Sequence, residues 1–246
     1  MAKPAQAAEK RSPKRTAERS AARQRRVSSV GMAFEDEARA CGFRFIAGLD
    51  EVGRGALAGP VVAAAVILDR EKKFPAGLDD SKLLKREERE RIAAELQDCM
   101  IGYAIGIIDH AEIDRVNILQ ATKLAMLQAL GKINPAPDFL LIDALFLRES
   151  PLMQRPIIKG DSISASIAAA SIIAKCHRDQ LMRDYHEVYP HYNFARHVGY
   201  GTREHWAALR VHGPCEIHRL TFRGVHPESI PSAPVDMELP FDWPLV

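Results

Sequence analysis

An α/β domain, its sheet covered by helices on both faces, is the fold class this sequence predicts, and three observations predict it. Val61 to Leu68 (VVAAAVIL) is an unbroken run of β-branched and small apolar residues, the pattern of a strand buried on both faces. Residues 85–100 (KREERERIAAELQDCM) are charged on one side and space Ile92, Leu96 and Met100 four apart, the period of an amphipathic helix. Runs of these two kinds alternate along the chain, which is the element order of an α/β fold.

Taken in order, residues 43–49 form a short apolar run that ends in acid and read as the first strand, with Val61 to Leu68 as the second. The amphipathic helix follows, then a strand over residues 101–108 that contains Gly102 and Gly106. Residues 117–132 place Leu124, Leu127 and Leu130 three apart and predict a helix stopped by Asn134-Pro135. Residues 139–142 (FLLI) predict a short buried strand with Asp143 after it, and Ile157-Ile158 one more. A long helix is expected over residues 164–185, opened by small residues and closed by basic ones, and a last short helix over 203–211. The sequence contains no internal repeat.

Charge is unevenly spread. The formal net charge of +2 combines a +7 segment at residues 1–33, a nearly neutral body at 34–227 and a −4 segment at 228–246. The expected organisation is therefore a disordered basic extension over residues 1–42, a catalytic domain over 43–227 and an acidic, Pro-rich tail over 228–246. No apolar run has the roughly 18 residues of a membrane span, and no apolar h-region follows the basic segment as in a secretory signal. Cys41, Cys99, Cys176 and Cys215 lie far apart in sequence and read as reduced thiols of a cytoplasmic protein. The nine histidines are scattered without ligand spacing, which argues against zinc.

The informative feature is the placement of acids. Asp50 and Glu51 follow one buried strand, Asp143 ends another, and Asp161 precedes the long helix. Any one alone reads as the start of a polar loop. Buried together, unpaired carboxylates are strongly disfavoured, and a divalent cation would compensate several at once. Hard oxygen ligands suit Mg²⁺ or Mn²⁺. Adjacent residues of a regular strand face opposite ways, so for Asp50 and Glu51 to share a site the backbone must turn immediately, with Gly53 and Gly55 supplying the freedom.

Residues 48–55 (GLDEVGRG) and 57–64 (LAGPVVAA), then 80–84 (DSKLL), 141–143 (LID), 159–161 (KGD) with 168–175 (AAASIIAK), and 199–202 (GYGT) with His205 stand in one order. Together with residues 217–219 (IHR), they closely resemble the signatures of the ribonuclease HII family over about residues 44–223. The resemblance implies an RNase H-like fold, a mixed sheet flanked by helices and followed by C-terminal helical elements. It implies an endonuclease that cuts the RNA strand of RNA-DNA hybrids and nicks 5′ of ribonucleotides embedded in duplex DNA, as in ribonucleotide excision repair, leaving 5′-phosphate and 3′-hydroxyl ends. Asp50, Glu51, Asp143 and Asp161 become the catalytic, metal-binding carboxylates, holding two Mn²⁺ or Mg²⁺ ions about 4 Å apart during catalysis. Gly53, Arg54 and Gly55 become substrate-binding residues, the glycines letting the backbone read the ribose 2′-hydroxyl and Arg54 contacting a phosphate, and Tyr200 becomes the residue that packs on the deoxyribose at the junction. Lys82, Lys159 and Lys175 are candidate phosphate contacts. Ser171 is counted with the substrate-binding residues, although helix packing also explains a small residue there. Asp179, far along the long helix from Asp161, is not expected to share the metal site.

The sister group, ribonuclease HIII, shares the carboxylates but carries a different glycine motif and a preceding substrate-binding domain; residues 53–55 (GRG) and the short, polar first 43 residues favour HII. A non-enzymatic hybrid-binding protein is disfavoured because all four acids are present. The expected partners are RNA-DNA hybrid and ribonucleotide-containing duplex DNA, with no membrane, for a monomer.

Overall fold

In the computed structural model, which describes residues 30–78 and 84–226, strand β2 (Val61–Leu68) has all eight residues buried, as its unbroken apolar run predicts. It pairs antiparallel with β1 (Ile46–Val52) on one side and with β3 (Met100–Ile108) on the other. Two further strands, β4 (Phe139–Asp143) and β5 (Met153–Ile157), continue the sheet beyond β1 in parallel, giving the order β3-β2-β1-β4-β5. The result is a mixed five-stranded sheet flanked by helices.

Alternation along β2 decides what covers each face. Val61, Ala63, Ala65 and Ile67 pack under the helix Ile118–Lys132, against Ala121, Ala125, Met126 and Ala129. Val62, Ala64, Val66 and Leu68 pack on the opposite side, against the helices Arg86–Leu96 and Ala165–Val188. In chain order the helices are α1 (Ala33–Ala40), α2 (Arg86–Leu96), α3 (His110–Val116), α4 (Ile118–Lys132), α5 (Ala165–Val188), α6 (Phe194–His197) and α7 (Arg203–His212). The small residues that open α5 let it lie directly on β1: a Cβ at Gly48 would fall 2.1 Å from the Ser166 carbonyl carbon. A third cluster, with Leu57, Met182, Tyr192, Phe194 and Leu209, seats α6 and α7 at one end of α5.

Three expectations change. The extension assigned to residues 1–42 ends earlier, because α1 packs Ala38 into a core with Ile46, Leu141 and Ile167. Its Glu35 is 1% exposed and accepts hydrogen bonds at Oε1 from the Ser164 hydroxyl (2.7 Å), the Ser166 hydroxyl (2.6 Å) and the Ser166 N–H (2.9 Å). Reading the segment by charge alone concealed this single buried acid. The rest of the predicted basic extension, residues 1–29, lies outside the described residues, as does residue 227 with the acidic tail. The helix α3 adds an element between the strand at 101–108 and the helix at 117–132; it is seven residues long and buries only Ile113, and Asp109 caps its start. The last strand lies earlier than Ile157-Ile158: β5 begins at Met153, contains Pro156 as an edge strand can, and leaves Ile158 77% exposed.

Glu35 yields a stability prediction. Hydrogen bonds to a charged acceptor contribute about 1.5–3 kcal/mol each, and the Ser166 N–H belongs to the first turn of α5. Glu35→Ala is expected to lower the unfolding free energy by about 2–4 kcal/mol, read as a shift of the urea midpoint at constant slope; a loss under 1 kcal/mol would count against this role.

Candidate active site

Strand pairing creates the site. Leu49 of β1 lies opposite Ile142 of β4 in parallel register, so the next residues along, Asp50 and Asp143, emerge at the same end of neighbouring strands. Asp50 is 4% exposed. Burial first, then the nearby charges of Glu51 and Asp143, push its carboxyl well above the usual carboxylate range; hydrogen bonds from the Ser171 side chain and the Glu51 N–H (2.7 Å) oppose this. Asp143 accepts from the Gly160 N–H at 2.7 Å, tying the end of β4 to the tight turn Gly160–Ser162 that carries the buried Asp161. Asp50, Glu51 and Asp143 are thus coupled electrostatically, with Asp161 on a turn bonded to one of them.

The expected turn directly after Glu51 is absent: β1 stays regular through Val52, and the chain turns at Gly53, φ +94°. Although alternate residues leave a strand on opposite faces, Glu51 and Ser171 line one groove of about 630 Å³. Arg86, Arg89, Lys175, Arg183 and Arg196 line it as well, against two carboxylates among the described residues, Glu51 and Asp179, so the groove is a positive surface beside the acids. Asp179 is held by Arg89 (3.0 Å) and Lys175 (2.7 Å). It lies in the same groove as Glu51, paired with those two cations.

The remaining sequence candidates divide. Tyr200 lines the groove, 5.9 Å from the Lys175 ammonium and 3.9 Å, at its ring edge, from where a Cβ on Gly55 would sit. The glycine segment and Tyr200 are therefore neighbours. Arg54 pairs with Glu51 at 3.3 Å and remains 41% exposed. Ser171 is more than a packing residue, since it bonds the Asp50 carboxyl. Lys159 is exposed in a left-handed conformation (φ 57°) just before the Asp161 turn. Lys82 lies outside the described residues.

Two buried arginines, overlooked in the sequence, shape the glycine segment. Arg178 of α5 is 0% exposed and donates to the carbonyls of Pro60 (2.9 Å), Val198 (2.8 Å) and Ala58 (3.1 Å). Arg219, also 0% exposed, donates to the carbonyls of Gly59 (3.0 Å) and Arg54 (3.0 Å). Gly53 is required for this arrangement, because a Cβ there would stand 2.2 Å from the Arg178 Nε. Arg178 lies in a helix, where arginine normally reads as solvated, and Arg219 stands in the segment 217–219 (IHR), whose resemblance to the family gave it no role.

A family model described as Ribonuclease HII matches residues 47–225. The chain belongs to the ribonuclease HII family. A Ribonuclease HII from Caldanaerobacter subterraneus subsp. tengcongensis is 53% identical over 181 residues, 74% of this chain and 75% of that protein. Among solved structures, the RNase HII of the PCNA:RNase HII complex from Archaeoglobus fulgidus matches with a TM-score of 0.62 at 25% identity, over 71% of this chain and 92% of the other. Bst-RNase HIII in complex with Mn²⁺ matches with a TM-score of 0.56 at 25% identity, over 74% and 68%. The ribonuclease is thus a ribonuclease H with an RNase H-like fold, as the sequence predicts. Among its described residues, no helix is long and apolar enough to cross a membrane.

The acids of this ribonuclease suit a divalent cation by charge and donor type: oxygen ligands alone, crowded enough to hold one carboxyl protonated well above its normal range. Among the described residues no three acidic, imidazole or thiol groups close on a single point, since the acids turn to protein donors such as the Gly160 N–H and Arg54. What is built here is the concentrated negative charge that a cation would relieve.

Proposed function

We propose that this ribonuclease hydrolyses the RNA strand of RNA-DNA hybrids and nicks duplex DNA 5′ of an embedded ribonucleotide, leaving 5′-phosphate and 3′-hydroxyl ends. The observation that carries the reading is that the buried Asp50 sits within electrostatic reach of Glu51 and Asp143, while Glu51 and Tyr200 line one basic groove and Gly55 lies beside Tyr200. Asp50, Glu51, Asp143 and Asp161 would hold Mn²⁺ or Mg²⁺, consistent with the Mn²⁺ complex formed by Bst-RNase HIII. Two such ions, when bound, would supply an activated water and neutralise charge at the departing 3′ oxygen.

The chain's own residues set the substrate. Residues 53–55 present backbone N–H and C=O groups without bulk at two of three positions, so a ribose can approach closely and its 2′-hydroxyl can be read by donor and acceptor alike. Arg219 holds the Arg54 carbonyl of this segment, and Arg178 and Arg219 hold those of Ala58 and Gly59 just after it. Tyr200, beside Gly55, offers its ring to the neighbouring deoxyribose, which favours DNA on the 3′ side of the cut. Cations of the groove, with Lys159 and Lys82, receive the phosphates and fix register without reading sequence.

The deciding assay incubates the full chain with Mn²⁺ or Mg²⁺ and an end-labelled DNA duplex containing one ribonucleotide, with an all-DNA duplex as control. A single nick on the 5′ side of the ribonucleotide is expected, and intact substrate under both metals would refute the proposal. For Tyr200→Ala, cleavage at a single ribonucleotide should fall about tenfold more than cleavage of a long hybrid, the equivalent of ~1.4 kcal/mol lost at the junction. Equal losses on the two substrates would remove Tyr200 from this role.

A further inference from the structure

The histidines that look scattered in sequence converge on the backbone of Tyr200. His205 Nδ1 lies 3.0 Å from the Tyr200 carbonyl oxygen, and His205 Nε2 lies 2.9 Å from His218 Nε2. Two facing ring nitrogens at that distance need one proton between them. The Cys215 N–H donates to His218 Nδ1 at 2.9 Å, nearer than the Cys215 Sγ at 3.1 Å and the Cys215 carbonyl at 3.3 Å, so the proton of a neutral His218 is placed on Nε2 and donated to His205. The proton of His205 is then on Nδ1 and is donated to Tyr200. A second ring extends the support: His197 Nδ1 accepts from the Gly199 N–H at 3.3 Å, its Nε2 donates to the Tyr192 carbonyl at 2.6 Å, and it stacks on His205 with centroids 4.5 Å apart.

We infer that His205 and His218 are positioning residues for substrate choice, a relay of neutral imidazoles that fixes the Tyr200 backbone and so aims its ring across the glycine segment. The inference rests on the junction-reading role proposed for Tyr200. Three features carry it. The rings are buried, with His205 at 0% and His218 at 1% exposure, and burial holds them down to about 3 and about 4, so both are neutral at working pH. Protonating either would set two N–H groups against each other. The segment they fix is also the one docked on the glycine segment, for the Leu57 N–H donates to the Gly199 carbonyl at 2.8 Å, and a Cβ on Gly199 would stand 2.6 Å from the Ala58 oxygen. Finally, only an imidazole both accepts and donates through one rigid ring, which is what a relay from the Cys215 N–H to the Tyr200 carbonyl requires.

Two measurements test the inference together. Nitrogen-15 spectra of histidine-labelled full chain at pH 7 should show His205 protonated on Nδ1, the tautomer less favoured in free histidine, and His218 on Nε2. A spectrum with His205 protonated on Nε2 would overturn the relay whatever the variants do. The second readout is the ratio of single-ribonucleotide to long-hybrid cleavage in Mn²⁺. His205→Leu should lower this ratio by about threefold to tenfold, whereas His205→Asn, whose amide can donate from near the Nδ1 position, should recover most of it. In a Tyr200→Ala background, His205→Leu should lower the ratio no further. If Tyr200→Ala moves the ratio and a folded His205→Leu does not, the inference fails. If Tyr200→Ala itself leaves the ratio unchanged, the reading of Tyr200 fails and takes the functional role of the relay with it, while the tautomers still report whether the relay exists.

Discussion

Replacing Asp50 by Asn is expected to reduce cleavage of both substrates by at least about 10³-fold, because loss of a single preorganised electrostatic group already costs ~10²–10³. The same substitution should make the folded protein more heat-stable in metal-free buffer at pH 7. Burial, Glu51 and Asp143 raise the Asp50 carboxyl in the folded state, so the unfolded chain gives up that proton more readily. Stability from this group is intact below the ordinary carboxylate range and is lost as pH rises through the folded value, so at pH 7 the Asp50 carboxyl opposes folding. Asparagine keeps an oxygen for the Glu51 N–H and removes the charge. Calorimetry with a chelator should therefore show a higher Tm for Asp50→Asn than for the parent chain. Added Mn²⁺ should reverse the order: a ligand at a hundred times its Kd stabilises by about 2.7 kcal/mol, and the variant should gain much less. Cleavage within tenfold of the parent, or equal metal-induced shifts, would remove Asp50 from the metal-binding set.

Arg178→Met is expected to have the largest effect on stability, about 3–5 kcal/mol. Its guanidinium donates to three carbonyls, those of Ala58, Pro60 and Val198, and a buried acceptor left without a donor costs about 1–3 kcal/mol. Methionine fills much of the volume, so the loss reports hydrogen bonds more than a cavity. Arg178→Lys should recover only part of it, since one ammonium cannot span the three carbonyls that the planar fork reaches. Urea denaturation checks the magnitude, and a loss below 1 kcal/mol would show that water replaces the arginine. Arg178 also lies under Gly53 and 5.6 Å from the Tyr200 ring centroid, so the surviving fold should discriminate embedded ribonucleotides less well.

Much of the fold was legible because it rests on local period. The buried run of β2 has the bounds its apolar residues set, α4 starts after an Asn117 cap, and α5 begins at the small residues that let it touch Gly48. Elements with little to bury were missed or displaced: α3 hides one isoleucine, β5 is a mostly exposed edge strand with a proline, and α1 is eight residues long and buries only Glu35 and Ala38.

The sequence by itself determined which residues the proposed chemistry rests on: Asp50, Glu51, Asp143 and Asp161 stand at element ends, where their type and order are visible without coordinates. Tertiary structure alone decided where they meet. Parallel pairing of β1 with β4 sets Asp50 beside Asp143 across more than ninety positions of sequence, and that proximity, with burial, perturbs the Asp50 carboxyl. Likewise Glu35, Arg178, Arg219 and the imidazoles at 197, 205 and 218 bond backbone groups distant in the chain or set by irregular turns. Hydrogen bonds of that kind leave no period in a sequence, because their partners are N–H and C=O groups that every residue shares.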